Sequence, residues 1–246
     1  MQTEEYARMY GLEDHYWWFQ GRKAIVVQLL SQLPALRRPG ARVLDLGCGT
    51  GLMLEHLNAG NWAVGLDFSP LALGFSRRRG ASRLVQGDVQ RLPVASDSFD
   101  VVTALDLAEH VERDDAFFRE VRRVLRTGGR LVLTVPAHPF LWSDHDEALF
   151  HYRRYTRAEL RAKLLAAGLR IERLSYGISL TFPAIVAFRF LQRLWQKPGH
   201  PKTHLITLPN WANTFLRRSV EFEAWILRKH DLPFGVSLLA VAAKDT

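Results

Sequence analysis

Short apolar runs, each ending in a polar, acidic or proline residue, alternate along the chain with stretches of helical periodicity. Val43 to Leu46, Trp62 to Leu66, a shorter run around Ser82 to Gln86, Val101 to Leu105 and Arg130 to Val135 read as five strands, the last closed by Pro136. Such runs, with little polar alternation, suit strands covered on both faces. Between them, helices are predicted from Thr50 to Asn58, from Ser69-Pro70 to about Arg79, from Asp114 to Leu125, and from Arg157 to Ala167. Thr156 caps the last of these and Gly168 ends it. Leu169 to Ser175 and Val236 to Ala243 supply a sixth and a seventh strand. Strands alternating with helices predict an α/β fold, a doubly wound seven-stranded, mostly parallel sheet.

The pattern also divides the chain. One domain, 1–246, is expected, with an N-terminal helical segment (1–40), a core (41–177), a helical cap insertion (178–232) and the last strand (233–246). A helix from Arg22 to Leu33, ended by Pro34, follows the aromatic cluster His15-Tyr16-Trp17-Trp18-Phe19. In the insertion, Ile178 to Phe188 is apolar and Phe190, Leu191, Leu194 and Trp195 continue at helical spacing. Its uncharged run is too short to span a bilayer.

The junction after the first strand carries the chemistry. Val43-Leu44-Asp45-Leu46 runs directly into Gly47-Cys48-Gly49-Thr50-Gly51, and alternating glycines bare the main chain where a helix N-terminus begins. Dinucleotide sites use G-x-G-x-x-G, whereas the spacing here is G-x-G-x-G. Asp67 closes the second strand, where a carboxylate can accept both hydroxyls of an unmodified ribose. Asp88 closes the third, within reach of an adenine amino group. The ladder Asp45, Asp67, Asp88 suits an adenosine ligand without phosphate.

Together with FDVVTALDLAEHV and LRTGGRLVLTVP, these segments resemble the class I S-adenosylmethionine-dependent methyltransferases, in their small-molecule, type 11-like branch. The resemblance is clear over about 41–168 and weaker at both ends. It implies an antiparallel last strand, S-adenosyl-L-methionine as cofactor and S-adenosyl-L-homocysteine as product. The implied cofactor-binding set is Arg22, Asp45, Gly47, Gly49, Gly51, Asp67, Phe68, Asp88, Val89 and Leu105. In this family, helices preceding the core commonly lie over the cofactor, so Tyr16, Trp17 and Phe19 are candidates to border cofactor or substrate. Arg22 could pair, as a bidentate fork, with the carboxylate of the cofactor's methionine part.

Composition narrows the setting rather than the chemistry. A hydrophobic fraction of 48% and a charged fraction of 24% describe an ordinary globular chain. The single cysteine, Cys48, excludes an internal disulfide, and residues 1–12 lack the basic-then-apolar order of a secretory signal. A cytoplasmic protein, peripheral to the membrane if the insertion touches lipid, is expected. The net charge is +8, and residues 178–232 concentrate eight basic side chains (Arg189, Arg193, Lys197, Lys202, Arg217, Arg218, Arg228, Lys229) against three acidic ones. A basic excess suits nucleic acid, anionic lipid or a phosphorylated substrate.

Candidate catalytic residues cluster beyond the strands' carboxyl ends, where open α/β sheets hold ligands. Glu109-His110 follows the fourth strand, and histidine suits proton transfer from a hydroxyl or amine near neutrality. The loop Ala137 to Tyr155 holds Trp142, Asp144-His145-Asp146-Glu147 and His151-Tyr152-Arg153-Arg154-Tyr155. It reads as a polar substrate wall, with His145 or His151 as proton acceptor beside the separate candidate His110, Trp142 as a lining residue, and Arg153 or Arg154 binding an anionic group. No His pair at i, i+4 on a helix and no CxxC is present, so no metal is expected. The alternative for these residues is a structural role in tying the loop to the body.

The function expected is methyl transfer by in-line displacement to a small-molecule or lipid- or saccharide-linked acceptor, first at oxygen. HYWWFQGR and HDEALFHYRRYT look similar to a bacterial subgroup associated with cell-envelope saccharide synthesis. A nucleic-acid methyltransferase would carry an N-P-P-Y-like tetrad where Asp106-Leu107-Ala108-Glu109 stands. A short-chain dehydrogenase would need a Tyr-x-x-x-Lys pair, and no tyrosine has lysine four residues on. A non-catalytic cofactor-binding subunit is the remaining alternative.

Overall fold

The computed structural model describes residues 3–195 and 208–245. Lys197 and Lys202 of the basic stretch lie outside the described residues, as do the side chains of Arg193, Leu194 and Trp195.

The chain enters through two helices, α1 (Thr3–Leu12) and α2 (Trp17–Ser31), before β1 (Arg42–Leu46). Then come α3 (Leu52–Leu57), β2 (Trp62–Asp67), α4 (Pro70–Arg78), β3 (Leu84–Gln86) and β4 (Phe99–Leu105). Next are α5 (Asp114–Val124), β5 (Leu125–Pro136), α6 (Asp144–Ala148), α7 (Arg157–Ala166) and β6 (Arg170–Gly177). The chain closes with α8 (Phe182–Trp195), α9 (Asn210–Ile226) and β7 (Ser237–Ala243). One seven-stranded sheet has the order β3-β2-β1-β4-β5-β7-β6, parallel except for β7, which runs antiparallel to both β5 and β6. The doubly wound, mostly parallel sheet read from the strand pattern is the observed one, with the helical insertion preceding the last strand.

Successive residues of each central strand enter opposite cores. Leu44, Val102, Leu131 and Leu133 face one side, with Phe117 and Phe118 of α5 and Leu160 and Leu164 of α7. Val43, Val101, Val132 and Leu239 face the other, with Ile25 and Leu29 of α2, Leu54 of α3 and Val220 of α9. This period of two with both faces covered explains the near-continuous apolar runs. The strand order reverses between β1 and β4, so their carboxyl ends frame the crevice of a doubly wound sheet.

Three local expectations need correction. The aromatic cluster does not precede a helix but begins one: α2 starts at Trp17, whose N–H donates to Asn213 Oδ1 of α9 at 2.8 Å. Gly21 costs the helix some intrinsic stability but lets α9 approach, since a Cβ there would stand 2.8 Å from Val220. The loop after β5 contains α6, opened by a capping box between Ser143 and Asp146. The helix after the glycine turn is shorter than expected, Leu52 to Leu57. In the insertion, Glu223 is buried and accepts the N–H groups of Ser179 at 2.9 Å and Leu180 at 2.6 Å, tying α9 to the entry of α8. Among the described residues, no helix is long and apolar enough to cross a membrane.

Gly65 in β2 leaves room for α3, because an added Cβ would lie 2.3 Å from Leu54 Cδ1 and 2.9 Å from Cys48 Sγ. Gly65→Ala is expected to destabilise the fold by about 1–3 kcal/mol through overpacking. Urea unfolding should show a lower midpoint with an unchanged slope.

Candidate functional site

The site grows from the turn after β1. Gly47, Gly49 and Gly51 have φ of +63°, +55° and +88°, in the left-handed region that glycine takes without strain. At Gly49 the nearest atom to an added Cβ is Gly47 O, 3.9 Å away, so the main chain there is bare. Asp67, at the tip of β2, holds this turn: its Oδ2 accepts the Gly49 N–H and its Oδ1 the Ser69 N–H, both at 2.9 Å. Burial raises its carboxyl above the ordinary range against those hydrogen bonds. Phe68 beside it is 76% exposed. Asp88, exposed beyond β3, accepts the Gln90 N–H at 2.9 Å, while Val89 and Leu105 are partly buried against the two cores.

Asp45 is turned into the sheet, where the Thr103 hydroxyl donates to its Oδ1 at 2.6 Å. Its carboxyl is pushed up to about 7 by burial, which outweighs the Thr103 hydrogen bond and is reinforced by the charge of Asp67. Cys48 is buried and its thiol is raised strongly, first by burial and then by Asp45 and Asp67, so it is no nucleophile.

The N-terminal helix lies over this turn and contributes residues that carried no role in the sequence. The Thr50 hydroxyl donates to the Glu13 carboxylate, and Arg79 of α4 pairs with Glu13 at 3.2 Å and with Asp14 at 2.8 Å. Tyr6 hydrogen-bonds Ser69, and its hydroxyl is raised by burial and by the charge of Asp67. Nothing in the local spacing of Tyr6 or Glu13 signals these contacts, which arise only when α1 folds back.

Arg22 of α2 reaches the end of β4, where it pairs with Asp106 and approaches Thr134 Oγ1 at 3.4 Å. Its partner in this structure is the Asp106 carboxylate. Burial pulls the guanidinium down to about 10 against the charge of Glu109. The Tyr16, Trp17 and Phe19 rings form one cluster, with Tyr16 6.3 Å from Trp17 and 6.2 Å from Phe19, and Trp17 also packs on the α2–α9 core.

Beyond β4, Glu109, His110 and His151 come together: each offers a ligand atom, and all three atoms lie within 4.8 Å of one another. The imidazoles of His110 and His151 meet edge to face at 4.5 Å. Glu109 is buried, and burial pushes its carboxyl up to about 8 despite Arg22 and Arg154 nearby. His110 is lowered to about 3 by burial and the charge of His151. His145 stands apart on α6, lowered to about 4 by burial and then by Arg189 of α8. Both are neutral imidazoles near pH 7, and weak bases.

The two arginines of the loop serve the protein's own acids. Arg154 Nε donates to Asp146 Oδ1 at 2.7 Å and its Nη1 to Ala137 O at 3.2 Å. Arg153 donates to Glu112 O at 2.6 Å and pairs with Asp114 at 3.1 Å. Burial opposes ionisation of Asp146, but hydrogen bonds from His151 and Arg154 hold its carboxyl well below the usual range. Trp142 Nε1 donates to Glu147 at 3.3 Å.

Residues 44–133 match the family model of a methyltransferase domain. The chain is 40% identical over 124 residues to a demethylmenaquinone methyltransferase of Mycolicibacterium paratuberculosis, covering 49% of this chain and 48% of that one. It is 31% identical over 166 residues to a Mycolicibacterium smegmatis protein described as a probable S-adenosylmethionine-dependent methyltransferase, covering 66% and 63%. The chain thus spans about half the length of the mycobacterial demethylmenaquinone methyltransferases it matches. In structure it overlays a chain of the Haloferax volcanii complex between the Trm112 methyltransferase activator and a methyltransferase, with TM-score 0.66, 21% identity and coverage of 98% and 95%. That likeness is one of fold.

A carboxyl whose native pKa is raised binds its proton more tightly folded than unfolded. Its contribution to stability is complete below about pH 4 and is lost as pH rises through the native value. For Asp45 the window ends at about 7. Asp45→Asn keeps an acceptor for Thr103 and is expected to flatten the fall in stability across that window. Urea midpoints of both proteins against pH check this, and parallel curves would refute it.

Proposed function

Because the chain belongs to the class I S-adenosylmethionine-dependent methyltransferases, we propose that it transfers the methyl group of S-adenosylmethionine to a small-molecule acceptor. The observation carrying this reading is the pairing of a bare glycine turn with the Asp67 carboxylate at the tip of β2. Asp67 Oδ2 accepts the Gly49 N–H and Oδ1 the Ser69 N–H, with a further backbone bond from Phe68, and the carboxylate keeps lone-pair capacity for a ribose hydroxyl. The exposed ring of Phe68 is read as a face for an adenine, and Asp88, Val89 and Leu105 as further members of the cofactor site. The donor set fits a nucleoside without phosphates.

The bound cofactor would supply an electrophilic methyl group with an excellent leaving group. The chain's own task is alignment and exclusion of water, and alignment alone is worth roughly 7–11 kcal/mol in intramolecular models. Arg22 and Asp106 neutralise each other at the end of β4, which supports a role in shaping the crevice over one in binding an external carboxylate. Oxygen is the acceptor atom we favour, because a neutral imidazole at His145 can accept a hydrogen bond from a hydroxyl. Tyr16, Trp17, Phe19 and Trp142 are read as apolar walls.

The acceptor is read as lipid-linked, and the protein as a cytoplasmic one that touches the membrane surface. Phe188, Phe190, Leu191, Trp211, Phe215, Phe222 and Trp225 are exposed on α8 and α9, beside Arg217, Arg218 and Arg228. An apolar face flanked by cations suits an anionic interface. The names of the mycobacterial relatives add demethylmenaquinone, which would take the methyl on a ring carbon, as the acceptor to test against hydroxyl acceptors.

Asp67→Ala is expected to weaken S-adenosylhomocysteine binding at least tenfold, about 1.4 kcal/mol, by titration calorimetry. Unchanged affinity would refute the cofactor site. Labelled S-adenosylmethionine with demethylmenaquinone and hydroxylated lipids should give a methylated product by mass spectrometry; tight cofactor binding without turnover on any acceptor would favour a non-catalytic subunit. Replacing Trp211 and Phe215 together by alanine should lower co-sedimentation with anionic vesicles while cofactor affinity holds. Equal sedimentation of both proteins would remove the membrane reading.

A further inference from the structure

The Glu109, His110 and His151 cluster has the construction of a site rather than of packing. Glu109 Oε2 is buried and has no hydrogen-bond partner, which no folded protein leaves without cost. One carboxylate oxygen of Glu109 and one ring nitrogen each of His110 and His151 lie within 4.8 Å of one another. Both rings are oriented from behind. His151 Nδ1 lies 3.0 Å from Asp146 Oδ1, and Asp146 is itself held by Arg154 and by the Ser143 backbone N–H at 2.9 Å. His110 hydrogen-bonds the Leu149 carbonyl. Each histidine therefore has one nitrogen committed to an acceptor and the other free to coordinate, the arrangement that fixes ligating imidazoles in metal proteins.

We propose that Glu109, His110 and His151 bind a divalent first-row transition metal ion of the zinc type. Two imidazoles and one carboxylate match the three-ligand set of zinc sites that keep a fourth position open. Magnesium and calcium prefer oxygen donors, and only one ligand here supplies oxygen. The ion would supply the partner that Glu109 Oε2 lacks. Asp146 is a positioning residue: it touches His151, not the ion. The metal was not expected from the sequence because the ligands are two adjacent residues after β4 and a third some forty positions on, outside any helical or CxxC spacing. The fourth position would take water or an acceptor hydroxyl; that last point rests on methyl transfer, whereas the metal affinity does not.

The test uses the untagged full chain, stripped with chelator and titrated with Zn²⁺ alone, and in parallel with Mg²⁺. One Zn²⁺ per chain with Kd of about 1 μM or tighter is expected, with no Mg²⁺ binding in that range. Co²⁺ in place of Zn²⁺ should give visible d–d absorption of a low-coordinate nitrogen and oxygen site. Glu109→Gln and His110→Gln should each weaken Zn²⁺ at least tenfold, and Asp146→Asn by about tenfold through the loosened imidazole. Circular dichroism and S-adenosylhomocysteine affinity report that each variant is folded. A folded wild-type chain that takes up no stoichiometric Zn²⁺, or a folded Glu109→Gln protein that binds it as tightly as wild type, overturns the site. Loss of S-adenosylhomocysteine binding with Zn²⁺ uptake intact would instead sink the methyl-transfer reading and leave the metal site standing.

Discussion

The structure depends on one carboxylate holding two backbone turns together. Asp67 ends β2 and accepts the amides of Gly49, from the turn after β1, and of Ser69, at the cap of α4. Those bonds fix how two neighbouring parallel strands release their chains into helices. Without a side chain at Gly49, no atom of the turn stands between its main chain and the crevice. The same geometry burdens the group: Asp67 is nearly buried, burial raises its carboxyl, and its charge adds to the burial that raises Asp45. Asp67 and Asp45 are held by amides and a hydroxyl, whereas Glu13 over the same turn is held by Arg79.

The second constraint is the closing of the crevice by elements distant in sequence. α1 folds over the turn through Glu13, Thr50 and Arg79, and α2 crosses to the tip of β4 through Arg22 and Asp106. α9 in turn caps α2, because Asn213 takes the Trp17 amide and Asn213 Nδ2 donates to His15 O at 2.8 Å. The N-terminal helices and the insertion before β7 are thus one layer, packed through Gly21 and Val220. A substrate reaching the strand tips meets both.

What was legible in the sequence was what is local. The strands announced themselves because both faces are covered, and the glycine turn because alternate positive φ angles demand glycine. The start of α2 was not legible, since its cap comes from a residue 196 positions away. Nor was the pairing of Arg22: an arginine in an aromatic segment says nothing of an aspartate beyond β4. The histidines could be listed, but not sorted. His151 joins His110 because Asp146 and the capping box of α6 turn the loop back, whereas His145, one residue from Asp146, faces Arg189 instead.

The loop after β5 makes an argument about what buried charge is for. Asp146 is fully buried with Arg154 and His151 around it, and buried ion pairs seldom repay their desolvation against an apolar packing of equal volume. The return here is geometric. Asp146 bonds the Ser143 amide to start α6, accepts from Arg154 whose other arm reaches Ala137 O, and lies against His151. The Tyr152 amide next to it donates to Glu109 O at 2.7 Å, bringing the loop onto the turn after β4. One carboxylate therefore sets the position of a ring in the cluster with Glu109, one of whose carboxyl oxygens has no hydrogen-bond partner. A loop needed only to cover the core could do so with leucines at lower cost. One that must present an imidazole to a fixed point needs this network, because apolar contacts have no direction.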